Sequence, residues 1–586
     1  MNRNLYVFFS FFILGMFLPE LAHAQEQGKV WFDGAARSFF ARDAVGDTEF
    51  PDTTSSINSS SGYNVLDVNT HINPNENIEV FAQLRVRNTF GGFFGSGTSV
   101  DVRQLTAKGT INDKVRFSIG DLYLKQSRFT LFNNDEELSS QNHSMFQSYR
   151  DIIHYENFYT ENRWRQQGLQ TNFSFNFDRF IRTLAFDFFI TRPRGSELIT
   201  SSTNSSDMLL SGGSMVTQIN KRFNVQTHYV NLFEVGSSGT SNISVRNPVY
   251  QLSLTHMLSL DRSKVTQTIQ TGFSQRHWLY SELPSGIEDS ISNVTKGLFF
   301  QFENEYFQND STFRFTVGYR YVDPAFRSAG AQTRRLDFGQ ESLNSTYPLY
   351  TNASLRRPTS LFDIISDENI YNQDLSTTLM EFNPMYSNIS PYGDATPNRQ
   401  GAYLSADLQT SSKSLITNVK SGYFTEVIGQ GTPERRTFFS LQSGLKFNVH
   451  QRVGWRKILS VSLSSDYENT QRSGDEYATL QLRSQQSNVF VNAEVTEDLF
   501  VQFGWKQFKT EGREYVSERN EYGEIVNFNL RDFDQKDHLV STGILYQLRQ
   551  NVYANLQYNW WGVATDDPAI SDFNYTRLMF VLSIKL

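Results

Sequence analysis

Ile78-Glu79-Val80-Phe81-Ala82-Gln83-Leu84-Arg85-Val86-Arg87 is the stretch on which the fold turns. Ile78, Val80, Ala82, Leu84 and Val86 share one parity, and Glu79, Gln83, Arg85 and Arg87 share the other, with Phe81 as the exception. Successive side chains of an extended strand point to opposite faces. Such a strand therefore presents one side to hydrocarbon and the other to water. The segment before it alternates in the same way, Leu66, Val68, Thr70 and Ile72 against Asp67, Asn69 and His71, and a turn-forming Asn73-Pro74-Asn75-Glu76-Asn77 joins the two.

The pattern recurs to the end of the chain. Phe313, Phe315, Val317, Tyr319 and Tyr321 alternate with Arg314, Thr316, Gly318 and Arg320 after a turn at Asn309-Asp310. A two-residue hairpin there would set Glu305 opposite Arg314 as a cross-strand ion pair. Ala402 to Leu408, Val489 to Val495, Leu499 to Trp505 and Val552 to Trp560 repeat the alternation, and Leu578, Phe580, Leu582, Ile584 and Leu586 end the chain on an amphipathic strand. About ten tight turns separate the segments on one edge, which gives roughly 22 strands. The connections on the other edge are longer and polar, notably residues 41–60, 125–162, 323–399 and 510–535.

This arithmetic points to an all-β chain: a single transmembrane antiparallel β-barrel, with short periplasmic turns and long extracellular loops. A soluble sandwich or propeller would also alternate. It would not require strands this long, a systematic asymmetry of turn and loop, or aromatics at strand ends such as Trp455, Tyr558, Trp560 and Trp561, which suit membrane-interface girdles. No open sheet edge is tolerated in hydrocarbon, so the strand beginning near Val30 is expected to pair with residues 573–586.

Residues 1–24 read as a cleaved signal peptide: Arg3 supplies the positive end, residues 5–18 are uncharged and mostly apolar, and Ala22-His23-Ala24 is a small-x-small cleavage pattern. Residues 25–586 would then form the barrel, with its long loops at 125–162, 323–399 and 510–535. Export and closure place the chain in the outer membrane of a Gram-negative bacterium, with membrane lipid as its first partner.

Composition removes several classes of function. The chain has no cysteine, which excludes disulfides, thiolate metal sites and an acylated-cysteine anchor. A net charge of −8 argues against nucleic acid as a partner. No metal, cofactor or catalytic constellation is expected. The best cluster for catalysis, His143, Ser144, Asp151 and His154 with Asp135, reads as ordinary polar loop.

Two segments, Ile119-Gly120-Asp121-Leu122-Tyr123 and residues 318–338 with Ala325-Phe326-Arg327-Ser328-Ala329-Gly330-Ala331, give the chain its resemblance to the large Asn-, Tyr- and Phe-rich outer-membrane barrels of the Bacteroidota. The resemblance implies a porin-like barrel and no narrower family. TonB-dependent transporters are similar in strand number, but here the alternation begins almost at the mature N-terminus, which leaves no room for a plug domain.

A round barrel of this size encloses a wide lumen, so something must fill or narrow it. The candidates are the loops 125–162 and 323–399, the second carrying Arg334, Arg335, Arg356 and Arg357 as a constriction. The inward charges Asp67, Glu79, Arg85, Arg87, Glu303, Glu305, Arg314 and Arg320 are the candidate pore lining, against the plainer reading that they pair within the wall. The expected function is a passive channel for polar solutes. The alternative is a non-conducting barrel of a secretion or surface-assembly machine, with periplasmic or lipoprotein partners.

Overall fold

The computed structural model describes residues 29–47, 57–90, 97–134, 143–194, 198–200, 203–204, 207–235, 242–281, 291–332, 388–429, 432–519, 525–566 and 572–586. The first seven strands are β1 (Lys29–Asp47), β2 (Ile57–Asn75), β3 (Ile78–Thr89), β4 (Thr98–Ile111), β5 (Val115–Leu124), β6 (Trp164–Asn176) and β7 (Thr183–Arg194). A small hairpin, β8 (Leu198–Thr200) and β9 (Thr203–Asn204), stands apart from the barrel. The wall resumes with β10 (Asp207–Gln218), β11 (Phe223–Val235), β12 (Asn242–Ser259), β13 (Ser263–Ser281), β14 (Ile291–Gln308), β15 (Phe313–Val322), β16 (Arg399–Gln409) and β17 (Leu415–Thr425). It finishes with β18 (Thr437–Asn448), β19 (Leu459–Arg472), β20 (Leu480–Thr496), β21 (Leu499–Arg519), β22 (Ile525–Arg549), β23 (Val552–Thr565) and β24 (Phe573–Lys585).

Twenty-two of these strands form one antiparallel sheet, each wall strand bonded to its neighbours in sequence. β1 pairs with β24 from Ala35 opposite Lys585 to Asp47 opposite Phe573, so the sheet closes and no edge is left. Closure is what satisfies the backbone in a medium without water. The expected pairing of the strand beginning near Val30 with residues 573–586 is therefore present, from Ala35 onwards.

The outer surface carries the apolar parity. Leu66, Val86, Val100, Val102, Leu556, Leu578 and Phe580 are all exposed large apolar side chains, which a barrel can present only to lipid. Asp67, Gln83 and Arg85 on the other parity are buried inside. A closed 22-stranded barrel of this polarity resides in a Gram-negative outer membrane.

Phe81, the exception to the alternation, has a structural cause, and three details differ from the sequence expectation. Phe81 breaks the alternation because it meets the inward His71 edge-on at 5.0 Å, and His71 in turn stacks on Trp31 at 3.4 Å. Residues 510–535 are mostly hairpin and not loop: β21 and β22 stay paired as far as Arg519 opposite Ile525. Trp561 is not in the outer girdle. It shares its parity with the buried Asn555 and Gln557 and packs edge-on against Phe573 at 5.6 Å, whereas Tyr558 and Trp560 are exposed outside. Finally, Glu305 lies opposite Thr316 and Arg314 opposite Phe307. The turn is four residues long, so the Glu305–Arg314 ion pair forms as a diagonal contact.

Candidate functional site: a helix docked on the lumen wall

The connection after β5 folds into the barrel. It carries a 3-10 turn at Ser144–Phe146 followed by helix α1 (Gln147–Glu156). Ser148, Ile152, Tyr155 and Glu156 recur at helical spacing and so share a face, and that face meets the inner wall. Ser148 accepts from Asn555 of β23 at 2.8 Å, and Ile152 packs with Met579 and Val581 of β24. Just before the helix, the buried Met145 offers its carbonyl to Gln557. Its sulfur sits where only glycine leaves space, since a Cβ on Gly504 would stand 3.0 Å from Sδ.

The C-terminal end of α1 meets a cluster of arginines. Arg37 of β1 and Arg85 of β3 both bond the Glu156 carboxylate, and Arg103 of β4 donates to the Tyr155 carbonyl at 2.9 Å. Arg85 also clamps Asp67 of β2 bidentately at 2.8 and 2.7 Å, and the Tyr155 hydroxyl donates to the same carboxylate. A carboxylate at a helix C-terminus is opposed by the helix dipole, so the arginines supply the attraction that holds Glu156 there. Burial pushes the Glu156 carboxyl up, but the hydrogen bonds and charges of Arg85 and Arg37 outweigh it and hold it below its ordinary range. Burial and the bond to Asp67 push the Tyr155 phenol up to about 12.

A second inward mass forms where residues 125–134 meet 323–332 and 388–398. Phe129 stacks on Phe299 of β14 at 4.0 Å, and Phe326 meets the same ring edge-on at 5.3 Å. Trp164 donates to the Gly330 carbonyl at 2.8 Å. Asp394 receives Arg128 and Arg320, each at 2.9 Å, which ties the loops to each other and to β15. Burial pushes the Asp394 carboxyl up, but the two arginines outweigh it and bring it to about 2.

The candidate pore-lining residues thus fall into separate groups. Asp67 and Arg85 hold the helix, while Arg320 holds the second loop mass. Glu303 accepts from Tyr403 at 2.7 Å, Glu305 pairs with Arg314, and Glu79 bonds His71 at 3.0 Å near the periplasmic turns. Arg87 lies over the Tyr63 ring at 4.4 Å. Arg334, Arg335, Arg356 and Arg357 lie outside the described residues, as do Asp135 and residues 1–24. His143 is buried, stacked on Phe490 at 3.5 Å, with neither ring nitrogen bonded. Burial, then the nearby cations, bring its pKa down to about 3. A neutral imidazole without a hydrogen-bond partner is not set up as a hydrolase base.

Arg37, Arg103 and Glu156 were not among the candidates drawn from sequence. Arg37 and Arg103 sit on polar faces of strands and follow the same rule that selected Arg85. Glu156 lies in a loop whose inward path no periodicity reports.

Two cavities lie between helix α1 and the inner wall. The outer one, of about 410 Å³, reaches Trp561, Asn559 and Gln557 on β23 and Tyr575, Arg577 and Met579 on β24. The inner one, of about 550 Å³, reaches Tyr553, Ser583 and Lys585 on the same two strands, Asn551 in the turn before β23, and Arg37, Asp67 and Gln83 on the adjoining β1, β2 and β3. Asn555 and Val581 lie between the two sets, where Ser148 and Ile152 dock. Because β24 runs towards the periplasmic end, the first cavity faces outwards and the second faces the periplasm.

No family model matches the chain, and no curated protein matches it. Among solved structures, the chain is similar to OpdQ of Pseudomonas aeruginosa at 11% identity, covering 95% of this chain and 98% of that one, with a TM-score of 0.32. OccK8 (OprE) of the same organism gives 11% identity, the same coverage and a TM-score of 0.33. OccAB4 of Acinetobacter baumannii gives 9% identity, 96% and 100% coverage and a TM-score of 0.30. Functional conclusions for this chain rest on its own register and lumen.

Proposed function

We propose that the chain is a passive, loop-constricted channel for small polar solutes. The observation that carries this reading is the pair of lumen cavities between α1 and the wall, one towards each end of the barrel, both walled partly by polar side chains of the barrel. A barrel serving only as a wall would have no need of polar space above and below a docked helix. The inward charges then act at two places. Asp67 and Arg85, with Glu156, set how firmly the helix closes the lumen. Glu79, Glu305 and Arg314, near the periplasmic turns, act on ions that leave, with Arg87, Glu303 and Arg320 lining or bracing the path between.

The deciding measurement is single-channel conductance of the purified mature chain in a planar bilayer, beside a variant with residues 144–158 replaced by a glycine-serine linker. A small conductance that rises at least severalfold in the variant is expected. Silence from both would overturn the channel reading in favour of a closed barrel that binds periplasmic or lipoprotein partners. A search for a stoichiometric co-purifying protein would then follow.

A further inference from the structure

The outer cavity is furnished in a way that passage alone does not demand. Its wall combines aromatic rings, among them Trp561, Tyr575, Phe508 and Tyr149, with the carboxamides of Gln486, Gln557 and Asn559. Its charges cancel. Lys506, Arg577 and Asp537 line it, and Arg577 is bonded bidentately from behind by Asp43 at 2.7 and 3.0 Å, which makes two cations and two carboxylates. A wall with no excess of either sign gives no electrostatic advantage to an anion or a cation. Rings together with amides favour a solute that is neutral, has an apolar face, and carries several groups able both to donate and to accept.

A sugar has those properties. The C–H face of a pyranose lies flat on an aromatic ring, and its hydroxyls are each donor and acceptor, as carboxamides are. Asn559, which lines this wall, carries both kinds of group in its carboxamide. The volume of about 410 Å³ falls within the roughly 300–1,000 Å³ of small-molecule sites. Beneath it lie the docked Ile152, Met579 and Val581, which give the cavity an apolar floor on this part of the wall.

We propose that this cavity is a binding subsite for a neutral saccharide of one or two residues. The proposal rests on the channel reading for how the sugar leaves, but binding itself does not need conduction. The test is isothermal titration of the full chain in detergent micelles with maltose, cellobiose, lactose and sucrose, and with benzoate as a charged aromatic control. Saturable heat is expected from at least one disaccharide, with a midpoint on the order of 1 mM, and none from benzoate. Trp561→Ala should weaken it at least tenfold, while Trp561→Phe, which keeps a stacking ring, should largely restore it.

Folding of each variant is checked by heat-modifiable migration in gels. If Trp561→Ala does not fold, Asn559→Ala takes its place, with a severalfold weakening expected. Absence of saturable heat from all four sugars, or saturation by benzoate instead, overturns the subsite. Sugar binding with no conductance would leave the subsite standing and remove the channel. Conductance with no sugar binding would do the reverse.

Discussion

Glu156, the last residue of the lumen helix, is bonded by Arg37 from one strand through one carboxylate oxygen and by Arg85 from another through both. These strands adjoin β23 and β24 through the β1–β24 closure, and Ser148 and Ile152 pack against the latter pair. The helix is therefore docked along one arc of the inner wall, with apolar packing at its start and ion pairs at its end. The two kinds of contact respond differently to mutation and pH.

Replacing Glu156 by Gln removes the charge that Arg37, Arg85 and Arg103 share while keeping its volume. Breaking a buried ion pair typically costs about 3–5 kcal/mol; Glu156 is 28% exposed, so roughly half of that is expected here. The helix should undock more often, raising mean conductance at least twofold and adding flicker. A double variant with Arg37→Met should recover part of the closure, because Arg37, whose ion partner is Glu156, is then not left without it. Identical traces for the single variant and the parent would show that the ion pairs do not hold the helix.

Acid should release the helix only at unusually low pH. The Glu156 carboxyl is held below its ordinary value when docked, so docking is favoured fully above the undocked pKa of about 4.3 and weakened as pH falls through the lower, docked value. Asp394, brought to about 2, braces the second loop mass in the same sense. Conductance recorded at pH 7 and pH 5 should agree, with a rise appearing only below about pH 4. An increase already complete at pH 5 would mean that Glu156 is not paired in the membrane.

The two parities of β23 should respond oppositely to charge. Leu556 is exposed on the outer face, and Asn555 is buried beside Ser148 within the lumen. Leu556→Arg should destabilise the barrel in lipid vesicles by up to about 2–4 kcal/mol, the figure for the membrane midplane, read from urea unfolding. Asn559→Asp, on the same lumen parity and opposite Arg577 of β24, should leave barrel unfolding nearly unchanged and alter conductance. Equal effects on unfolding would contradict the assignment of inside and outside.

The alternation of single residues was sufficient for much of this architecture. Ile78 to Arg87 already separates lipid side from lumen side, and the turns after Ile72, Ile111 and Leu548 already count the hairpins, because period-two polarity and turn chemistry are local properties of the chain. Asp67, Arg85 and Arg320 were legible as inward charges for the same reason. What residues 125–162 do was not, because a loop has no period and its course is set by surfaces contributed from distant strands. Only the closed barrel brings Glu156 to Arg37 and Arg85, Met145 to Gly504, and Ile152 to Val581. It likewise turns Trp561 from an expected girdle residue into a wall of the outer cavity. The sequence by itself determined that the chain is a barrel and which parity faces inwards; tertiary structure alone decided what fills it, because the contacts that fill a lumen join residues hundreds of positions apart.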